Sequence, residues 1–113
     1  MNVKTSSPKI PRKPLSASVA RPINELLDLV GQRWTLRILW ELRDGPSTFR
    51  GLQLRCGNLS PTVLNKRVQA LRDADIVELT TSGYALTTLG LELGIKLLDL
   101  TKWAERWSRK RAV

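Results

Sequence analysis

Apolar residues recur at helical spacing through the first two thirds of the chain, and the breaks between the runs are marked by Gly, Pro, Ser and Asn. Pro22, read at a first helical position, opens a segment with Leu26, Leu27 and Val30 on one side and Glu25 and Asp28 on the other, closing at Gly31. Residues 33–43 form a second helix with Trp34, Ile38, Leu39 and Leu42 as its buried stripe, and Asp44-Gly45-Pro46 stops it. Thr48 caps a third helix over residues 49–56, with Phe49, Leu52 and Cys56 facing inward. Gly57-Asn58 makes the turn that follows. Ser60-Pro61 then starts a fourth helix, which runs to about Ala74: Ser accepts an orphan amide, and Pro stands where no donor is missed.

The period then changes from helical to alternating. Residues 76–80 and 84–86 read as two short strands with Thr81-Ser82-Gly83 turning between them, and Thr87-Thr88 caps a long last helix reaching about Trp107. Two short helices joined by a Gly-containing turn, followed by a hairpin and a helix, give a mainly α (α+β) fold. It is a winged helix-turn-helix with a short β-hairpin wing and a long C-terminal dimerisation helix.

Two helices carry more than packing information. At 100° per residue, Leu64, Val68 and Leu71 share the inward face of the fourth helix, while Thr62, Lys66, Gln69 and Asp73 lie opposite, flanked by Asn65. In the last helix Leu93, Leu97, Leu100, Ala104 and Trp107 share one face, with Leu91, Ile95 and Leu98 on the other. One small domain covers one such face. The second needs a partner, and Trp103 and Trp107 are natural anchors for it.

Composition narrows the chemistry. The 113 residues include no His and one Cys, so one protomer can assemble no Ser-His-Asp triad, Cys-His pair or zinc ligand set. Neither catalysis nor a cofactor is expected. A single Cys also excludes an internal disulfide, consistent with a cytoplasmic protein. The N-terminal residues carry no signal-peptide pattern, and no run approaches the ~20 apolar residues of a membrane span.

The formal charge of +9 is unevenly placed. Residues 1–20 carry Lys4, Lys9, Arg12 and Lys13 without an acid, with three prolines, and read as a disordered basic arm. Residues 109–113 add a basic tail, leaving 21–108 as the folded domain with a net +2. Within it, residues 45–72 hold Arg50, Arg55, Lys66, Arg67 and Arg72 and no acid. That block coincides with the helix-turn-helix, which points to a polyanion. Thr62, Asn65, Lys66 and Gln69 are the types that bond base edges in a major groove, while the N-terminal end of the fourth helix (Ser60), Thr48, Arg50 and Arg55 suit phosphates. Arg67 is either a further contact or a brace of the fold. Two other readings stay open: a non-specific architectural DNA binder, for which the basic ends argue, and a winged-helix module that docks protein.

The sequence resembles the HxlR-type family of winged helix-turn-helix transcriptional regulators. The resemblance rests on Gly31-Gln32-Arg33-Trp34-Thr35-Leu36, Ile38-Leu39-Trp40-Glu41-Leu42, Asp44-Gly45-Pro46, Phe49-Arg50-Gly51-Leu52, Leu59-Ser60-Pro61-Thr62-Val63-Leu64 and Tyr84-Ala85-Leu86-Thr87-Thr88-Leu89-Gly90, and spans about residues 21–107. It implies a bacterial or archaeal, nucleoid-associated homodimer on a palindromic operator in double-stranded DNA. The fourth helix would be the recognition helix and the terminal helices the dimer interface, with Leu26 of the first helix joining Leu91, Ile95, Leu98, Trp103 and Trp107. A small-molecule effector is compatible with this, with Trp34, Trp40, Trp103 and Trp107 as candidate pocket walls or as core and interface. Many members of the family carry a cysteine just before the first-helix proline, used in some for thiol or electrophile sensing; here that position is Arg21. Members also generally have a longer, often basic, wing. With an uncharged tip at Thr81-Ser82-Gly83, the arm is expected to supply what the wing lacks, through Lys9, Arg12 and Lys13. Removing residues 1–18 should weaken DNA binding and flatten its salt dependence; unchanged affinity and slope would refute a role for the arm.

Overall fold

A computed structural model describes residues 16–112. Helices α1 (Ala17–Val30), α2 (Thr35–Glu41), α3 (Phe49–Arg55) and α4 (Pro61–Asp73) come first. Strands β1 (Val77–Thr80) and β2 (Gly83–Leu86) and the helix α5 (Thr88–Arg111) follow. The helix-turn-helix and the wing are therefore where the residue pattern puts them. Among the described residues no helix is long and apolar enough to cross a membrane, and no group of His, Cys, Asp and Glu could hold a metal ion.

The core is formed where α2, α3, α4 and the start of the wing meet. Ile38, Leu39 and Leu42 of α2 pack with Leu52, Cys56 and Leu59 from α3 and the turn after it. Leu64, Val68 and Leu71 of α4 and Val77 of β1 complete it. A second shell, including Leu29, Trp34, Phe49, Val63, Tyr84, Leu93 and Leu97, packs around these residues. The strands pair antiparallel, with Val77 opposite Leu86 and Thr80 opposite Gly83.

One connection has no local signature. Ser47, in the loop between α2 and α3, exchanges backbone bonds with Tyr84: Ser47 N–H donates to the Tyr84 carbonyl at 2.9 Å, and Tyr84 N–H to the Ser47 carbonyl at 2.8 Å. The wing is thereby tied to the entry of the helix-turn-helix. At its other end the wing is fixed to α5. Thr87 Oγ1 accepts from the Gly90 amide at 3.0 Å as the helix cap and donates to the Asp75 carbonyl at 2.6 Å. Gly90 is buried, and a Cβ there would collide with the Ile76 carbonyl.

The limits of three helices and the packing of one helix face differ from the pattern-based reading. Helix α1 begins at Ala17, so Pro22 lies inside it and not at its start. The Ala-rich residues before the proline extend the helix despite the one bond its missing N–H removes. Residues 17–20 consequently belong to α1 and not to an arm, and a deletion that tests the arm alone ends at residue 15; Lys9, Arg12 and Lys13 lie outside the described residues. Helix α2 is shorter than 33–43, because Trp34 stands before it in the left-handed region, at φ 81°, and reverses the chain after Gly31. Helix α5 continues past Trp107 to Arg111, so residues 109–111 are helical and not a tail. Nothing after Gly94 breaks it, and Arg109, Lys110 and Arg111 suit the negative end of its dipole.

The fourth difference concerns the inner face of α5. Leu93 and Leu97 pack against the core, but Leu100, Ala104 and Trp107 on the same stripe are exposed. A 24-residue helix is ~36 Å long and outruns a body this small.

The seating of α5 on the wing depends on the missing side chain at position 90. Gly90→Ala should destabilise the fold by ~1–3 kcal/mol, because the backbone carbonyl it meets cannot rotate away. A urea midpoint equal to that of the parent protein would show that α5 shifts freely on the wing.

Candidate nucleic-acid interface

The stage for α4 is set by its own cap and by three buried side chains. Pro61 occupies the first turn, and the Ser60 hydroxyl faces the Val63 amide at 3.5 Å. Leu64, Val68 and Leu71 are at most 2% exposed. Burying each removes ~1.5–3 kcal/mol worth of apolar surface from water, so the helix cannot rotate about its axis without losing most of the core. The opposite face is thereby turned outward. Thr62, Asn65, Lys66 and Gln69 are all exposed. Among the described residues no hydrogen bond occupies the side chain of Thr62, Asn65 or Lys66, whereas Gln69 Nε2 donates to Asp73 Oδ1 at 2.9 Å.

Helix α3 approaches through a polar turn. The Thr48 hydroxyl accepts from the Gly51 amide at 3.0 Å, which caps α3, and the Arg50 guanidinium donates to Gln53 Oε1 at 3.3 Å. Gln53 is the residue the pattern missed. Its side chain is buried and donates to the Leu59 carbonyl at 2.9 Å, while the Leu59 amide donates to the Gln53 carbonyl at 3.3 Å. These two bonds hold the α3–α4 turn, in which Gly57 and Asn58 both have positive φ. The available signal was a polar residue one turn from Phe49, beside an apolar face. Arg72 also went unassigned; it lies exposed two turns along α4 from Asn65, on the same side.

Two of the expected contacts are placed differently. Arg55 is drawn back toward α2: its guanidinium donates to the Glu41 carbonyl at 3.2 Å and to Ser47 Oγ at 2.8 Å. Arg37 closes the circuit, donating to Glu41 Oε2 at 2.8 Å and to the Arg55 carbonyl at 2.9 Å. Arg67 Nε donates to the Arg33 carbonyl at 2.9 Å and braces α4 against the turn before α2. Both side chains are therefore engaged by the scaffold, Arg55 while still exposed, and Thr62, Asn65, Lys66 and Gln69 form the outward row of α4. The wing tip, Thr81-Ser82, is uncharged and the nearby Glu78 is exposed.

Cys56 is buried beside this circuit. Burial pushes its thiol up, the Glu41 carboxylate adds to the shift, and Arg37 and Arg55 oppose it. A thiol held neutral and covered is a poor nucleophile.

An apolar groove of about 650 Å³ runs between α2 and α5, walled by Leu36, Trp40, Leu91, Ile95, Leu98 and Leu100. Ile95 is 67% exposed and Leu91 52% exposed, while Leu26 on α1 is half-buried. Of the four tryptophans only Trp40 lines this groove. Trp34 packs on the core, and Trp103 and Trp107 stack on each other at 5.9 Å near the free end of α5, with Arg111 over the Trp107 ring. They are not walls of one pocket.

The sequence profile of the HxlR-like helix-turn-helix family matches residues 29–112. The chain is 30% identical over 88 residues to the uncharacterized HTH-type transcriptional regulator YvaP of Bacillus subtilis, covering 72% of this chain and 82% of that one. It is 34% identical over 91 residues to the HTH-type regulator YtfH of Escherichia coli, covering 74% and 72%. Among solved structures, quinone-bound YodB of B. subtilis superposes with a TM-score of 0.71 at 28% identity, over 75% of this chain and 97% of YodB. A possible HxlR family transcriptional factor from Thermoplasma volcanium does so with a TM-score of 0.66 at 27% identity, over 74% and 82%. The outward row on α4 thus belongs to a helix-turn-helix DNA-binding domain, and the chain is a member of the HxlR-like family of transcriptional regulators.

Proposed function

We propose that the protein binds a specific operator in double-stranded DNA as a homodimer, with α4 in the major groove. The observation that carries this is the outward row of Thr62, Asn65 and Lys66, mounted on a buried leucine-valine face and left without hydrogen-bond partners among the described residues. The surrounding stretch, residues 45–72, contains no acid. Asn65, Lys66 and Gln69 supply base contacts, each good bidentate pair being worth ~1–3 kcal/mol of discrimination. Thr48, Arg50, Ser60 and Arg72 supply phosphate contacts, and Arg55 and Arg67 act by holding the helices in place. Residues 1–15 add a salt-sensitive contribution that the uncharged wing does not provide. The site of action is then the nucleoid, in the cytoplasm.

The dimer follows from α5. Leu91, Ile95, Leu98, Trp103 and Trp107 are all at least 41% exposed in one protomer, together with Ile23 and Leu27 on α1. An exposed apolar stripe of that length on a projecting helix calls for a second copy. A two-fold axis there presents two α4 helices roughly 34–36 Å apart, matching half-sites on one face of the duplex. The related YodB was solved with a quinone bound. In this chain the only thiol is the buried Cys56, so an effector, if the protein has one, is sensed by non-covalent contact and not through that thiol.

Selection from random duplexes should return a palindromic motif, and Asn65→Ala should change it at one position in each half-site. Failure to enrich any sequence at physiological salt would favour an architectural role, and absence of binding at low salt would favour a protein-docking module. Sedimentation should show a dimer at micromolar concentration that Ile95→Glu converts to a folded monomer. A parent protein that stays monomeric with and without DNA would rule out the dimer.

A further inference from the structure

The hydrogen bond between Gln69 and Asp73 bears on which base the recognition helix accepts. Thr62, Lys66, Gln69 and Asp73 follow one another at i, i+4, i+7 and i+11 along the exposed side of α4, all of them outside the core. Asp73 is the only acid on that helix. It stands in the last turn, where a negative charge opposes the carbonyl end of the helix dipole, and it adds repulsion toward a phosphate backbone. Neither helix stability nor non-specific affinity gains from it. What it does in the structure is accept one Nε2 proton of Gln69 at 2.9 Å.

That bond fixes a side-chain amide that would otherwise present either of two faces. A free glutamine can rotate its amide by half a turn, and so offer its donor or its acceptor at a given point. With one Nε2 proton held by Asp73, the nitrogen stays on the Asp73 side of the amide. Oε1 is then turned the other way as an acceptor, and a single Nε2 proton remains for DNA. One acceptor beside one donor matches the N6 amino group and N7 of adenine. Guanine presents two acceptors at the same places, O6 and N7, so Oε1 would face O6 lone pair to lone pair.

We infer that Asp73 is a positioning residue that locks the Gln69 amide in the orientation selecting adenine over guanine. This rests on the proposal that α4 reads the major groove, and it assigns Asp73 a gain in specificity at a cost in overall affinity.

The test uses the full chain and the duplex motif recovered by selection, with the base pair that responds to Gln69→Ala replaced in turn by the alternatives. The parent should prefer adenine over guanine there by ~10-fold, within the range of a bidentate contact. Asp73→Ala should bind every duplex more tightly while that ratio falls to within about 2-fold, because the amide is free to turn. Asp73→Asn keeps an oxygen at the same place without the charge, so it should raise overall affinity and retain the preference for adenine. An unchanged ratio in Asp73→Ala overturns the inference, as does loss of the ratio in both variants, which would make charge the cause. A change confined to a base pair that Gln69→Ala leaves alone also overturns it, since Asp73 would then be a contact itself. If Gln69→Ala alters no position while Asn65→Ala does, the Asp73 role falls and groove reading by α4 stands; if neither alters any position, both fall. Thermal midpoints of the two Asp73 variants, expected to equal that of the parent or to rise slightly as the charge opposing the helix dipole is removed, separate this role from a structural one.

Discussion

Everything the molecule presents to its surroundings depends on how α4 is seated. Leu64, Val68 and Leu71 lie against Ile38, Leu39 and Leu42 of α2 and Leu52 of α3, and each of these is almost fully removed from water. The core is small, so each contact carries a large share of the net stability of a domain this size. Rotating α4 by one residue would bring a polar side chain into that core and an apolar one out of it. The burial of three side chains is thus also what orients Thr62, Asn65 and Lys66, whose side chains make no hydrogen bond among the described residues.

The apolar contacts set the rotation of α4, and a few polar bonds set its position along the other axes. Gln53 and Leu59 close the turn that sets the angle between α3 and α4. Arg67 reaches the Arg33 carbonyl and links α4 to the turn after α1. Arg55, Arg37, Glu41 and Ser47 join the end of α3 to α2, and Ser47 in turn pairs with Tyr84 in the wing. Two arginines that count toward a basic surface by composition are therefore engaged as braces. Of the basic residues in the 45–72 stretch, this leaves Arg50, Lys66 and Arg72 for the proposed contact with DNA.

The second dependency is the length of α5. Its root is clamped on the wing by Thr87 and Gly90, and its middle packs on the core through Leu93 and Leu97. Beyond that it leaves the body with apolar residues and two stacked tryptophans uncovered. Residues suited to burial but lying past the edge of the protomer are the physical basis for the proposed two-fold arrangement, and the groove between α2 and α5 continues the same apolar surface.

Most of the element order could be read from local signals. Thr48, Ser60 and Thr87 are helix caps in the structure as their sequence context implies, and the 3.6-residue spacing of Leu64, Val68 and Leu71 identifies the inward face of α4. Such features are written in sequence because they depend on neighbours within one helical turn. The start of α1 is hidden from a local reading because Pro22 mimics a first-turn proline, and the end of α5 because basic residues at a helix terminus resemble a tail. The inner stripe of α5 was traced too far, since periodicity records which residues share a face and not how far the body beneath extends. Ser47 against Tyr84, Arg55 against Glu41 and Ser47, and Arg67 against Arg33 join residues that are 8 to 37 positions apart. The order of the helices, their caps and the polar side of α4 are legible in the chain because they follow from propensity and period. Which arginines are engaged as braces and where α5 leaves the core emerge with the fold, because both depend on the distance between segments that no local pattern encodes.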